Sequence, residues 1–368
     1  MQAGAEHSPM SGLDEYLIHN NPLPVRVMWT SDMRAYERVW FTAQDRSGDV
    51  FVVAGLAFYP NLGTAEAFAI VVCRGRHTTV RSHRRLGDDR MDMRIGPLSF
   101  EVVRPFREWR LRLDDNDQGV TYDLHWFDTK RATYRNIGGG TIAAGQAYPG
   151  VAGYEGFGAV EGTLTVGGET FTLERGQHCG TRDHHWGIRD GVGGRAHWSG
   201  HQHVFSGYWV EFAEWGLWGD QVLPNLGSKQ RRNRVVRHAT SRLRFDPETR
   251  FVVAGEAELE LETGARRTMT FERVGNQVAY LRCGMYGGPN GGTPDADLWM
   301  GQDVGEVTTG ETYDLSDPGV QLHLTGLNQV DARFECDGEV AYGIVELYEP
   351  MAYETAAAGR GGLSLLEP

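Results

Sequence analysis

Short runs that alternate apolar and polar residues, each closed by a glycine- or aspartate-rich turn, recur along nearly the whole chain. They leave little room for anything but a β-sheet protein. Residues 38–43, 50–55 and 67–72 read as consecutive strands, rich in aromatic and β-branched side chains. Residues 45–49 suit the first hairpin loop. Residues 98–103, 109–113 and 120–127 continue the pattern, and the last two flank the turn at 114–119. Residues 162–166 and 169–173, separated by Gly167 and Gly168, form a two-residue hairpin. In the second half, residues 195–204, 208–214, 235–245, 250–262, 267–273, 277–283, 319–326, 330–336 and 340–348 read the same way. Helical periodicity is confined to residues 11–19 and 353–358. With 49 glycines, 14 prolines and no triplet period, glycine serves tight turns here, not a collagen-like fibre.

Many antiparallel strands with almost no helix mean a sandwich or closed barrels. A chain of 368 residues has room for two such units. The glycine-rich stretch 138–158 reads as a linker, but the hairpin at 162–173 still belongs to the first unit. The expected division is therefore 12–190, 191–352 and a tail at 353–368. A net charge of -13 excludes nucleic acid as the main partner, because no basic excess exists to neutralise phosphates. Cys73, Cys179, Cys283 and Cys336 are scattered, which predicts reduced thiols in a cytoplasmic protein. No basic-then-apolar leader opens the sequence. The longest apolar run, 67–73, is too short to cross a bilayer.

The stretch 180–189 concentrates Arg182, Asp183, His184, His185, Trp186 and Arg189 between glycines. Unpaired charge is costly to bury, so such a segment suits a ligand pocket better than an ordinary core. Six of the thirteen histidines fall between His178 and His203. On a strand, His197, His201 and His203 share one face and Trp198 takes the other. That face lines a cavity or meets solvent beside carboxylates. His201 and His203, with Asp183 or His184, also make a weak metal-ligand pattern without any established zinc spacing. Asp183 is the candidate acid: in a poorly hydrated site beside Trp186 its neutral form would be favoured, whereas a salt bridge to Arg182 or Arg189 would keep it charged. Trp186 and Trp198 offer rigid walls and quadrupoles for developing positive charge, and Tyr208 completes the candidate substrate contacts. No P-loop, dinucleotide fingerprint or nucleophile elbow is present, and no metal or other cofactor is expected.

The segment 182–189 resembles the RDHSWG signature of two-domain lipocalin-like proteins related to carotenoid 1,2-hydratases (hydroxyneurosporene synthases) and AttH-like proteins. Residues 105–110 and 341–346 are similar to two further segments of that group, in the same order. His185 stands where the signature has serine. The resemblance implies an all-β fold of two consecutive lipocalin-like antiparallel β-barrels with very little helix, and a ligand cavity at or near their junction. It also implies that Asp183 protonates an alkene.

The resulting expectation is a cytoplasmic, cofactor-free hydratase or dehydratase acting on a hydrophobic isoprenoid, polyene or steroid-like molecule. Asp183 would donate the proton, and His184 or His185 would orient it or activate water. A non-catalytic carrier of an apolar ligand, or a pericyclase that shapes a polyene, are the alternatives.

Overall fold

The computed structural model describes residues 12–15, 22–130, 132–136, 142–143, 146–147, 150–189, 191–194, 206–212, 216–217, 228–229, 235–261, 263–284 and 298–366. The first half comprises β1 (Ala35–Asp45), β2 (Val50–Tyr59), β3 (Thr64–Cys73), β4 (Arg76–Arg85), β5 (Arg94–Ile95), β6 (Leu98–Arg104), β7 (Glu108–Leu113), β8 (Val120–Asp128), β9 (Thr133–Asn136), β10 (Ile142–Ala143), β11 (Gln146–Ala147), β12 (Val151–Val166), β13 (Glu169–Leu173) and β14 (His178–Ile188). The second comprises β15 (Ser206–Glu211), β16 (Gly216–Leu217), β17 (Ser228–Lys229), β18 (Val235–Phe245), β19 (Val252–Leu261), β20 (Arg266–Tyr280), β21 (Val307–Asp314), helix α1 (Pro318–Leu324), β22 (Gly326–Cys336), β23 (Glu339–Glu349), helix α2 (Met351–Ala357) and β24 (Leu363–Leu365).

The fold is all-β and lipocalin-like, with a first sheet curled into a half-barrel and a second sheet against it. The first sheet runs β21-β4-β3-β2-β1-β14-β12-β8-β7-β6-β5, with β9 and β13 also paired to β12. The second runs β16-β15-β23-β22-β20-β19-β18-β17, with β24 added to β18. Although β21 follows the second half's first strands in sequence, it seals the edge of the first sheet at β4. Arg81 fastens it, donating to Glu311 Oε1 at 2.6 Å and to the Cys283 carbonyl at 2.9 Å. The two halves therefore share a strand across the expected division.

Strand alternation sorts the core into two layers. Inward-facing Phe41, Trp109 and Trp126 meet edge to face, with ring centroids 5.2 and 5.7 Å from Phe41. The opposite faces of β1, β2 and β3 present Trp40, Phe51, Val53, Phe68, Ile70 and Val72, which join the second sheet's core. Strands buried on both faces read as continuous apolar runs, which is why β2 and β3 stand out in the sequence.

Several expected elements differ. Residues 319–326 are not a strand: Asp317 accepts from Gly319 N at 2.7 Å and Pro318 opens the turn, so helix α1 forms. The two strands expected at 267–273 and 277–283 are one, β20, with a register shift between Arg273 and Val278 and a 3-10 turn at Leu281–Gly284. The expected linker at 138–158 contains the start of β12. Its Gly158 admits the Trp126 ring, where a Cβ would overlap the indole. The strand expected at 195–204 lies outside the described residues, and of the helix at 11–19 only the 3-10 turn Gly12–Glu15 is described. None of the four cysteines is in a disulfide. Among the described residues no helix is long and apolar enough to cross a membrane.

Candidate active site

Strand β14 carries the charged motif and lies between β1 and β12, so each of its side chains has a neighbour on both sides. Asp183 sits opposite Trp40 and Glu155, and His185 opposite Arg38 and Gly153. His184 sits opposite Val39 and Tyr154, and Trp186 opposite Glu37 and Ala152. Because successive side chains point to opposite faces, Asp183 and His185 lie on the outer face, towards the second sheet. Arg182, His184 and Trp186 lie on the inner face of the barrel. The structure thus separates Asp183 from Trp186, which the sequence reading placed together. The indole beside Asp183 is that of Trp40.

On the outer face Asp183 is buried and its partner is Arg38, not Arg182 or Arg189: Arg38 Nη2 donates to Asp183 Oδ2 at 2.7 Å. The same nitrogen lies 3.3 Å from His185 Nδ1. An arginine can only donate, so Nδ1 accepts and the ring proton sits on Nε2, 3.1 Å from Glu155 Oε1. Gly153 makes room for that ring, since a Cβ there would overlap both the His185 ring and the His184 carbonyl. Asp183 Oδ1 and Trp40 Nε1 are buried without a hydrogen-bond partner among the described residues. Buried polar atoms are nearly always paired, so an open pair on one face marks a place for a ligand or water. Tyr36 is on the same face. Burial raises its phenol above the ordinary value, against the pull of Arg189 and Arg38.

On the inner face charge is cancelled locally. Arg182 is held by Asp128 through two bonds of 3.0 and 2.8 Å, the pair being 0% and 1% exposed. Its guanidinium centre lies 5.0 Å from the Tyr154 ring centroid and 5.5 Å from that of Trp126. His184 is gripped at both nitrogens, by the Tyr154 hydroxyl at 3.0 Å and by Glu37 Oε1 at 2.9 Å. Arg90 holds the other Glu37 oxygen at 3.1 Å. Burial alone would raise the Glu37 carboxyl, but the His184 bond, its charge and Arg90 outweigh that and hold it below the usual range.

Among the other expected contacts, Tyr208 lies in the core of the second half. Its hydroxyl donates to Ser241 Oγ at 2.8 Å and its ring packs on Phe271 and Phe334. Trp198, His201 and His203 lie outside the described residues, and with them the metal-ligand pattern. Arg38, Trp40 and Glu155 were missed by the sequence reading. Their signal was available, since period two places Arg38 and Trp40 on one face of a strand buried along most of its length.

The fold and the site define an all-β protein with two packed sheets and a polar cluster buried on the face between them. The model of a family of unknown function (DUF8625) matches residues 10–222, and the chain belongs to that family. No curated protein matches it. Among solved structures, the AttH-like protein of Nitrosomonas europaea is similar with a TM-score of 0.50 at 12% identity, over 85% of this chain and 92% of that one. Kievitone hydratase from Nectria haematococca is similar with a TM-score of 0.44 at 11% identity, over 84% and 88% of the two chains. The first likeness shows a shared fold.

Proposed function

We propose that the protein is an acid–base enzyme of the hydratase or dehydratase type, acting on a double bond of an apolar isoprenoid, polyene or steroid-like molecule. Asp183 Oδ1 is the atom that moves the proton. The observation that carries this reading is that Oδ1 is buried, open among the described residues, and directly across the sheet from the Trp40 indole. Arg38 holds Oδ2 as an ion pair, so the proton that Asp183 delivers is first taken up from solvent at Oδ1, the oxygen that Arg38 leaves open.

In the hydration direction the proton leaves Oδ1 for an alkene carbon, and the π electrons form the new C–H bond. Positive charge develops on the neighbouring carbon, where an indole face is worth up to about 2 kcal/mol once water is excluded. Water adds to that carbon and its surplus proton returns to the carboxylate, so the residue is regenerated. Dehydration runs the same steps backwards. His185, fixed by Glu155 and Arg38, is a positioning residue for Arg38 and hence for the carboxylate. The resemblance of residues 182–189 to the carotenoid hydratase signature supports the same assignment of Asp183.

The test is incubation in D2O with a panel of neutral polyenes, terpenes and steroidal alkenes, read by mass spectrometry. One solvent deuterium should enter carbon with each water added. Asp183→Asn should lower the rate by about 10²–10⁴-fold, the usual weight of a general acid, measured below the variant's melting temperature, which falls because Arg38 loses its buried counter-charge. Incorporation at the wild-type rate in that variant would remove Asp183 from the chemistry. A product free of solvent deuterium would point instead to a template that shapes a polyene.

A further inference from the structure

A separate chamber lies inside the half-barrel, on the inner face of β14, with a volume of about 520 Å³. That is the size of an ordinary small-molecule pocket. Its walls are Leu56, Phe58, Met93 and Trp109, with Trp29 and Phe106 at the edge. The stretch 22–34 runs along it and is tied down at several points. Val25 N donates to Asp14 Oδ1 at 2.7 Å, Asn61 Nδ2 donates to the Thr30 and Asp32 carbonyls at 2.8 Å each, and Arg26 pairs with Asp88. Trp29 and Phe106 nonetheless stay 45% and 49% exposed. Phe106 has φ +55, a left-handed conformation that disfavours a bulky side chain, and its ring lies 5.3 Å from that of Tyr154. Strain of this kind persists where the surroundings impose it, and it is concentrated at ligand sites.

The polar groups on this wall fall in one chain: Arg90, Glu37, His184, Tyr154. Both arginines in the lining already hold carboxylates, Arg90 with Glu37 and Arg38 with Asp183. An anionic ligand would therefore have to break an ion pair to find a cation there. Glu37 retains 41% of its side-chain surface, so a second anion beside it would also be repelled. Tyr154 offers a single hydrogen-bonding oxygen. With His184 neutral, the phenol donates to Nδ1 and its oxygen accepts from the ligand. With His184 charged, Nδ1–H donates to the phenol, whose own O–H turns to the ligand. A ligand hydroxyl satisfies both states, because it can donate and accept. Burial raises the Tyr154 phenol above its ordinary value, with Arg182 pulling the other way, so it remains protonated near neutral pH.

We propose that this chamber is a second binding site, distinct from the Asp183 face, for a neutral, flat, aromatic or unsaturated alcohol whose hydroxyl meets Tyr154. Aromatic and thioether walls favour a polarisable ring over a saturated chain. The inference does not depend on the chemistry assigned to Asp183.

The test is titration of the full-length protein with 2-naphthol and with 2-naphthoate, which share a ring system and differ in charge, by calorimetry and tryptophan fluorescence. The expected result is one site for 2-naphthol, bound at least about tenfold more tightly than 2-naphthoate. Tyr154→Phe should weaken 2-naphthol about tenfold, as loss of one buried hydrogen bond does. Leu56→Trp should fill the chamber and abolish binding. The naphthol–naphthoate comparison needs no variant, so it stands if Leu56→Trp does not fold. The site is overturned if 2-naphthoate binds as tightly, if 2-naphthol does not bind at millimolar concentration, or if folded Leu56→Trp binds it unchanged.

Discussion

The two faces of β14 handle charge in opposite ways. The inner face pairs its charges locally: Asp128 holds Arg182 through Nε and Nη2, leaving Nη1 without a partner among the described residues, and His184 is held at both nitrogens. The outer face leaves an oxygen of Asp183 open among the described residues. Asp183 and His184 are neighbours in sequence, yet the pleat sends them to opposite faces of the sheet. A run of titratable residues on a strand is therefore two half-sites, and each must be read with its cross-strand partners rather than with its neighbours in the chain.

The largest effect on stability should come from breaking the inner pair. Asp128→Asn leaves the Arg182 guanidinium buried without its counter-charge, a change that costs about 3–5 kcal/mol. Urea unfolding measures it. A loss below about 1 kcal/mol would mean that the inner face is less closed than its geometry indicates. The next effect is pH-dependent and compares the two halves. Burial pushes Glu66, under Tyr59 and Gly301 N in the first half, up to about 7. Burial likewise pushes Glu349, which accepts from Val252 N at 2.5 Å in the second half, up to about 8. Both are neutral in the folded state while an unfolded carboxyl ionises near 4.5, so the unfolded chain binds fewer protons in between. Stability should then fall as pH rises, from about 4.5 to about 7 for Glu66 and to about 8 for Glu349. The slope is roughly 1.4 kcal/mol per pH unit for each group within its window. Glu349→Gln should remove the part of the slope between pH 7 and 8, and unfolding curves at those two values would show it.

A smaller effect sharpens the outer face. Gly153→Ala puts a methyl group against the His185 ring and should destabilise by about 1–3 kcal/mol, seen as a lowered melting temperature. The smallest belongs to an exposed pair, Arg175 with Glu161, side chains 51% and 41% exposed. Arg175→Ala should cost no more than about 1 kcal/mol, and a thermal melt resolves that limit.

The strands were readable because period two and glycine turns survive in short segments, and the hairpin 162–173 appears as β12 and β13. The helix at Pro318–Leu324 was not, because its seven residues are too few for a periodic face and only the Asp317 cap betrays it. The placement of β21 in the first sheet is a long-range pairing with no local trace. The motif itself was visible, but its partners were not: Arg38, Trp40 and Glu155 lie in other strands, and only register brings them to Asp183. The reading that joined Asp183 to Trp186 followed proximity in sequence, where the pleat imposes separation.

The most direct measurement compares the two faces in one assay: solvent-deuterium incorporation by Asp183→Asn and His184→Gln, side by side, with folding checked by circular dichroism. The account predicts that Asp183→Asn loses incorporation by two orders of magnitude or more and is the more severely impaired of the two. It is contradicted if Asp183→Asn turns over at the wild-type rate while His184→Gln is inactive, which would move the chemistry to the inside of the barrel.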